Sequence, residues 1–278
     1  MVGRAVLLLV AVSAMACAAP ATEEDGAATG SAIVGGIPTS DFPGIGYFQA
    51  IGKTPTGERS SGSFCTGTLI APDVVLTAAH CLDDLEESFD AGTTYDRLEF
   101  AIGASDRAAD TRVSVAAKTV KLHPGYKVTG GTDDTTHDIG YVVLREPITI
   151  AQPLRVKRTM HAASCSYVAT GYGVSLNGFA HKATHVDAES NGIRRALVTC
   201  ASAGYDDAMI VTHTSAGSQC NGDSGGPLRI RQTDEIVGVV SYSGASTCTA
   251  NTRTYYTPVA THLDFVDEAL ALSRSKTP

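Results

Sequence analysis

Ile236-Val237-Gly238-Val239-Val240 is a short apolar run, rich in β-branched residues and closed by Ser241. It is too short to bury the face of a helix, and its composition suits a fully buried strand. Runs of the same kind recur outward from it: Tyr167-Val168-Ala169, Tyr141-Val142-Val143-Leu144, Asp73-Val74-Val75-Leu76 and Thr68-Leu69-Ile70, with Gly, Pro, Asp and Asn between them. That texture predicts an all-β body of antiparallel sheets closed into barrels. The 278 residues, 43% hydrophobic, suffice for one large core or two small ones. Leu144-Arg145-Glu146-Pro147 reads as the crossing between two halves, about 33–147 and 148–278. One helix is expected near the C-terminus: Thr261 and Asp264 spell a capping box, and Leu263, Val266 and Leu270 fall on one face. Ser273 to Pro278 is read as a frayed end.

The first residues read as an export signal over 1–16, with Arg4, an apolar core from Ala5 to Val12, and Ala14-Met15-Ala16 as a small-residue cleavage site. No later apolar run is long enough to span a bilayer. Residues 17–32 are small, acidic and polar, and read as a pro-segment or linker. Cys17 directly follows the cleavage site and leaves two readings open: lipidation, with anchoring at the cell envelope, or ordinary cleavage and secretion. The net charge of −8 and the lack of a basic patch exclude nucleic acid as a partner. Six cysteines remain after Cys17, an even set in an exported chain that allows fifteen pairings.

Gly222-Asp223-Ser224-Gly225-Gly226-Pro227 is the most specific segment for chemistry. A serine bracketed by glycines can sit in a tight turn, its backbone N–H groups facing a substrate. The N–H groups of Gly222 and Ser224 are the expected oxyanion hole. A serine hydroxyl needs a base, and Thr77-Ala78-Ala79-His80-Cys81 places a histidine at the end of an apolar strand. Asp138, ahead of the strand from Tyr141, is the expected orienting carboxylate, whereas Asp133 and Asp134 lie in a polar turn. His123, His137, His161, His181, His185, His213 and His262, taken singly, read as surface or structural residues. His181 and His185 are four apart, but no Glu follows His181, so no zinc helix is read. No calcium loop and no cofactor are expected.

These motifs occur in a fixed order: Ile33-Val34-Gly35-Gly36, Thr77 to Cys81, His123-Pro124 with Asp138-Ile139, Gly222 to Pro227, then Ser241-Tyr242. In that order the chain resembles the chymotrypsin/trypsin-like serine proteases from Ile33 to about Ala271. The resemblance implies two six-stranded antiparallel β-barrels with a C-terminal helix. It also implies a His80/Asp138/Ser224 triad acting through an acyl-enzyme. Protein or peptide substrates, protein inhibitors and a monomeric state follow from it as well. A new N-terminus at Ile33 would pair with Asp223, making the chain a zymogen cut at Ala32–Ile33. The resemblance puts Ser218 at the base of the specificity pocket, with Ser241, Tyr242, Ser243 and Thr254 lining the substrate site. Without an Asp at Ser218, and with a β-branched Thr254 narrowing the pocket, small or medium aliphatic residues are expected before the scissile bond. Ala32 fits such a pocket, which would allow self-activation. By the same resemblance Cys65 pairs with Cys81 and Cys220 with Cys248, leaving Cys165–Cys200 by elimination.

Two other classes are weighed against this. A non-catalytic homologue usually lacks a triad residue or the oxyanion-hole glycine, and here all are present. An α/β-hydrolase would need a G-x-S-x-G elbow and alternating strands and helices, which this chain lacks.

Overall fold

A computed structural model describes residues 33–41, 43–54, 57–83, 94–105, 112–129, 132–133, 135–173, 192–202, 208–245 and 249–273. The signal at 1–16, the segment 17–32 with Cys17 and Ala32, Asp134, the His181/His185 pair, Cys248 and residues 274–278 lie outside them.

The strands are β1 (Ile37–Pro38), β2 (Ile45–Thr54), β3 (Gly57–Ser60), β4 (Cys65–Ala71), β5 (Val74–Thr77), β6 (Thr94–Ile102), β7 (Val113–Leu122), β8 (Val128–Thr129), β9 (Thr132–Asp133) and β10 (Gly140–Leu144). The second half adds β11 (Ser164–Gly171), β12 (Arg195–Ala201), β13 (Ile210–His213), β14 (Pro227–Ile230), β15 (Ile236–Ser243) and β16 (Thr254–Pro258). Two helices, α1 (His80–Asp83) and α2 (Leu263–Ala271), complete the described elements with two short 3-10 turns, Thr135–His137 and Val259–Thr261.

Each half closes on itself. In the first, the order β2-β4-β5-β10-β7-β6 returns to β2, with β3 as an outlying hairpin arm. In the second, β12-β11-β14-β15-β16-β13 returns to β12, with β1 added at the edge. The result is two six-stranded antiparallel barrels, closure removing the exposed edges that open sheets carry. All five apolar runs singled out in the sequence fall on strands, in β4, β5, β10, β11 and β15, save Asp73, which lies in the turn before β5. β5 and β10 are buried throughout, which explains why they read as continuous apolar runs without alternation.

The larger core fills the first barrel with Ile45, Phe48, Leu69, Leu76, Phe100 and Val142 and continues across the junction to Tyr172, Ile236 and Val239. A smaller cluster around Leu228, Val240 and Tyr256 fills the second. Helix α2 closes the structure through a face that shares only part of the predicted one: Val266 is buried and Leu270 packs half-buried against the core, while Phe265 and Ala269 rather than Leu263 complete the buried set. The capping box is also absent. The cap is His262, and the Thr261 hydroxyl donates instead to the Pro258 carbonyl at 2.9 Å. The chain beyond α2 is not frayed at its start either: Ser273 is buried, and its hydroxyl donates to Asp73 Oδ1 at 2.5 Å. Among the described residues no helix is long and apolar enough to cross a membrane.

Candidate active site

Strand β5 ends at Thr77, and the chain turns at once into α1, whose first residue is His80. The Cys65–Cys81 disulfide ties this turn to the start of β4. His80 Nδ1 lies 2.7 Å from Asp138 Oδ2, and the His80 backbone N–H donates to Asp138 Oδ1 at 2.9 Å. Two contacts from one residue fix both the ring and its main chain against the carboxylate. A third partner comes from β15, where the Ser241 hydroxyl donates to Asp138 Oδ2 at 2.5 Å. Asp138 is 2% exposed. Burial alone would push its carboxyl up, but the adjacent His80 charge and these hydrogen bonds outweigh it and hold the pKa below its ordinary value. The Asp138 backbone is anchored too, its carbonyl accepting from the buried Thr257 hydroxyl at 3.0 Å.

Ser224 sits in a loop whose backbone bends through the left-handed region on both sides, with φ of +89° at Gly222 and +79° at Gly225. Glycine meets that requirement without steric cost. At Gly225 space is limiting as well: a Cβ there would lie 2.1 Å from Thr77 Oγ1 and 2.3 Å from the Thr66 carbonyl. The Ser224 carbonyl accepts from Thr66 N–H at 2.8 Å, and the Thr66 hydroxyl donates to the Gly222 carbonyl at 2.9 Å. Thr66 follows Cys65, which is bridged to the residue after His80. One short path of covalent and hydrogen bonds thus runs from the histidine turn to the serine loop, across the two barrels.

Asp223 is fully buried beneath this loop. It accepts from Cys220 N–H at 2.8 Å, from Gly173 N–H at 2.9 Å, and from the Ile33 backbone N–H. Gly171 and Gly173 make room for it, because a Cβ on either would lie 2.1 Å or 2.7 Å from its carboxyl group. Burial pushes the Asp223 carboxyl up to about 7, against the three backbone donors and the nearby Arg195 charge. Ile33 itself is fully buried and holds φ at +45°, an unusual conformation for a β-branched residue.

A family model described as Trypsin matches residues 45–266. The chain belongs to the trypsin family of serine proteases. It is a serine endopeptidase, a hydrolase of peptide bonds. Trypsin alpha-4 of Lucilia cuprina is 30% identical to it over 82% of this chain and 83% of its own. Brachyurin of Leptuca pugilator is 27% identical over 73% of this chain and 86% of its own. Among solved structures, neuropsin, a serine protease expressed in the limbic system of mouse brain, superposes with a TM-score of 0.63 at 17% identity. It covers 84% of this chain and 96% of that one, a likeness of fold.

In this protease the other residues expected at the site lie in or beside the second barrel. Ser218 is 2% exposed, its N–H donating to the Val34 carbonyl at 3.1 Å, and its hydroxyl has no hydrogen-bond partner among the described residues. Thr254, on β16, pairs with Thr212 of β13 and Ser243 of β15 and is buried. Tyr242 is partly exposed and stacks on Tyr255 with ring centroids 4.4 Å apart and planes 6° from parallel. Ser241, expected at the substrate site, gives its side chain to Asp138. Cys165–Cys200 is bridged between β11 and β12. Cys220 is also disulfide-bonded.

Sequence reasoning missed Thr66, Thr257 and the glycine pair at 171 and 173. The position of Thr66 directly after a bridged cysteine was the one local signal. The others become visible only when Asp138 and Asp223 acquire neighbours from distant strands.

Proposed function

We propose that this protease cleaves its substrates through His80, Asp138 and Ser224. Ser224 Oγ attacks the scissile carbonyl while His80 takes its proton, and the backbone N–H groups of Gly222 and Ser224 receive the developing oxyanion. His80 then protonates the leaving amine, and water repeats the sequence to release the acyl group. Asp138 holds the ring tautomer and offsets the imidazolium charge. The observation that carries this reading is the double contact between His80 and Asp138, at 2.7 and 2.9 Å. Ser224→Ala should lower kcat by about 10⁴-fold or more. Full turnover in that variant would end the assignment.

The same reading makes the chain a zymogen. Residues 1–16 direct export, 17–32 form the pro-segment, and 33–278 form the catalytic domain, in halves of about 33–147 and 148–278. Cleavage at Ala32–Ile33 turns the Ile33 amide, already directed at Asp223, into an ammonium ion. A cation opposite a buried carboxylate relieves its desolvation penalty and holds Gly222 in place. The uncharged Ser218 and the β-branched Thr254 support a preference for small or medium aliphatic P1 residues. Ala32 meets that preference, so the enzyme can process itself. Cys220–Cys248 is the third bridge, and the protease acts as a monomer on protein or peptide substrates, subject to protein inhibitors. Cys17 is either lipidated, anchoring the enzyme to the envelope, or removed on secretion; an intact mass of the exported protein separates the two. N-terminal sequencing of incubated zymogen, followed by P1 profiling on a peptide library, tests the rest. A processed start other than Ile33, or cleavage selective for Arg or Phe, would overturn it.

A further inference from the structure

Three histidines that look unrelated in the sequence converge beside the catalytic carboxylate. His123 follows the end of β7, His137 ends the 3-10 turn ahead of Asp138, and His262 caps α2. Each offers one ligand atom, and these atoms lie within 4.8 Å of one another. The His123 and His137 rings stack at 5.0 Å, and the His262 ring meets them edge-on at 4.9 and 5.6 Å. Gly125 permits the approach, since a Cβ there would fall 2.8 Å from the His137 ring and 3.1 Å from His123 Nδ1. The main chain at all three is pinned: His123 N–H donates to the Ile139 carbonyl, and Ile139 N–H to the His137 carbonyl. Likewise Val266 N–H donates to the His262 carbonyl. The second group of metal-binding residue types, Cys65, His80 and Cys81, is disabled as a site because its two sulfurs are bridged.

We propose that His123, His137 and His262 form a site for a divalent transition-metal ion of the Zn²⁺ class, whose binding slows peptide hydrolysis by displacing Asp138. Imidazole nitrogens are the ligands such ions favour, and three of them leave a fourth position for water. Nitrogens around a tetrahedral Zn²⁺ stand about 3.4 Å apart, so the three ligand atoms must draw closer than their present spacing of up to 4.8 Å. His262 is held for this role: its Nδ1–H donates to the Pro258 carbonyl at 2.9 Å, which fixes the ring, and the ring's hydrogen bond to the Thr136 backbone is exchanged for the metal. His123 Nδ1 accepts from Gly125 N–H at 3.0 Å, a hydrogen bond that must be given up where Nδ1 is the ligand atom. The link to catalysis is covalent. His137 precedes Asp138, so drawing His137 toward the metal pulls on the peptide that carries the His80 partner.

Zn²⁺ itself is the probe. Calorimetric titration into the full chain carrying Ser224→Ala reads binding without turnover, and so independently of the proposed proteolytic mechanism. Saturable uptake of one ion is expected at micromolar metal, weakened at least about 10-fold by His262→Gln and by His123→Gln. Thermal unfolding without metal identifies either variant that has failed to fold. With processed active enzyme, Zn²⁺ should lower kcat with KM unchanged, and chelation should restore it. In His123→Gln the inhibition curve should shift at least about 10-fold upward, with metal-free kcat within about twofold of the parent. Undiminished binding in both folded variants overturns the site. Binding at the site that leaves kcat unchanged overturns its coupling to Asp138.

Discussion

Ser241 Oγ donates to Asp138 Oδ2 at 2.5 Å across the junction of the two barrels. Asp138 belongs to the first barrel and Ser241 to β15 of the second, so the carboxylate that orients His80 is held from both sides. Ser241→Ala leaves the fold intact and removes one charge-assisted hydrogen bond. Such bonds contribute about 1.5–3 kcal/mol, so kcat should fall roughly 10-fold or more with little change in KM. Steady-state kinetics on a short peptide substrate checks this, and an unaltered kcat would remove Ser241 from the orienting machinery.

Asp223 makes the stability of the uncleaved chain pH-dependent in an unusual direction. Its folded-state pKa is raised from 3.8 to about 7, so between those values the native state keeps a proton that the unfolded state has released. Stability therefore falls as pH rises through that window, by on the order of a few kcal/mol from this group. An ammonium at Ile33 would lower the Asp223 pKa and cancel the loss. The cleaved and uncleaved proteins should thus melt at similar temperatures near pH 4–5 and diverge toward pH 7.5, with the cleaved form higher. Thermal unfolding of both forms across that range is the measurement. Parallel curves would argue against the ion pair.

The strands were legible because β5, β10 and β15 bury nearly every residue, and continuous apolar runs of that length have few other folded uses. The residues proposed as the triad could be named because each lies in a local motif. What resisted reading depended on contacts between distant segments. The face of α2 is set by Phe265 meeting His123 and Tyr141, which the i, i+3, i+7 spacing of Leu263, Val266 and Leu270 does not reveal. The capping box failed because a nearby carbonyl, that of Pro258, competes for the Thr261 hydroxyl. His123, His137 and His262 share no local motif, so each alone looked ordinary until the barrel brought them together.

Thr254 tests the pocket. It is 1% exposed and lies on β16 between β13 and β15. Thr254→Gly removes a β-branched side chain from the proposed pocket wall at a stability cost of about 1 kcal/mol. Hydrolysis of substrates with Phe before the scissile bond should rise at least about 10-fold in kcat/KM, while that of Ala substrates should fall or hold. A profile that does not move would place Thr254 outside the pocket.

Thr66 joins the serine loop to the rest of the site by three hydrogen bonds. Its N–H donates to the Ser224 carbonyl, its hydroxyl donates to the Gly222 carbonyl at 2.9 Å, and the same oxygen accepts from Tyr172 N–H at 3.1 Å. Thr66→Val preserves shape and the backbone bond but strips both side-chain contacts. The Gly222 carbonyl and Tyr172 N–H then lose a buried partner, at about 1–3 kcal/mol each. Because Gly222 also carries an expected oxyanion donor, loosening it should lower kcat by about 10- to 100-fold in addition to lowering the melting temperature. Thr66→Ser, which keeps the hydroxyl and loses only the methyl, separates the two causes. It should recover most of kcat even where part of the stability loss persists, whereas equal kcat losses in both variants would assign the effect to packing.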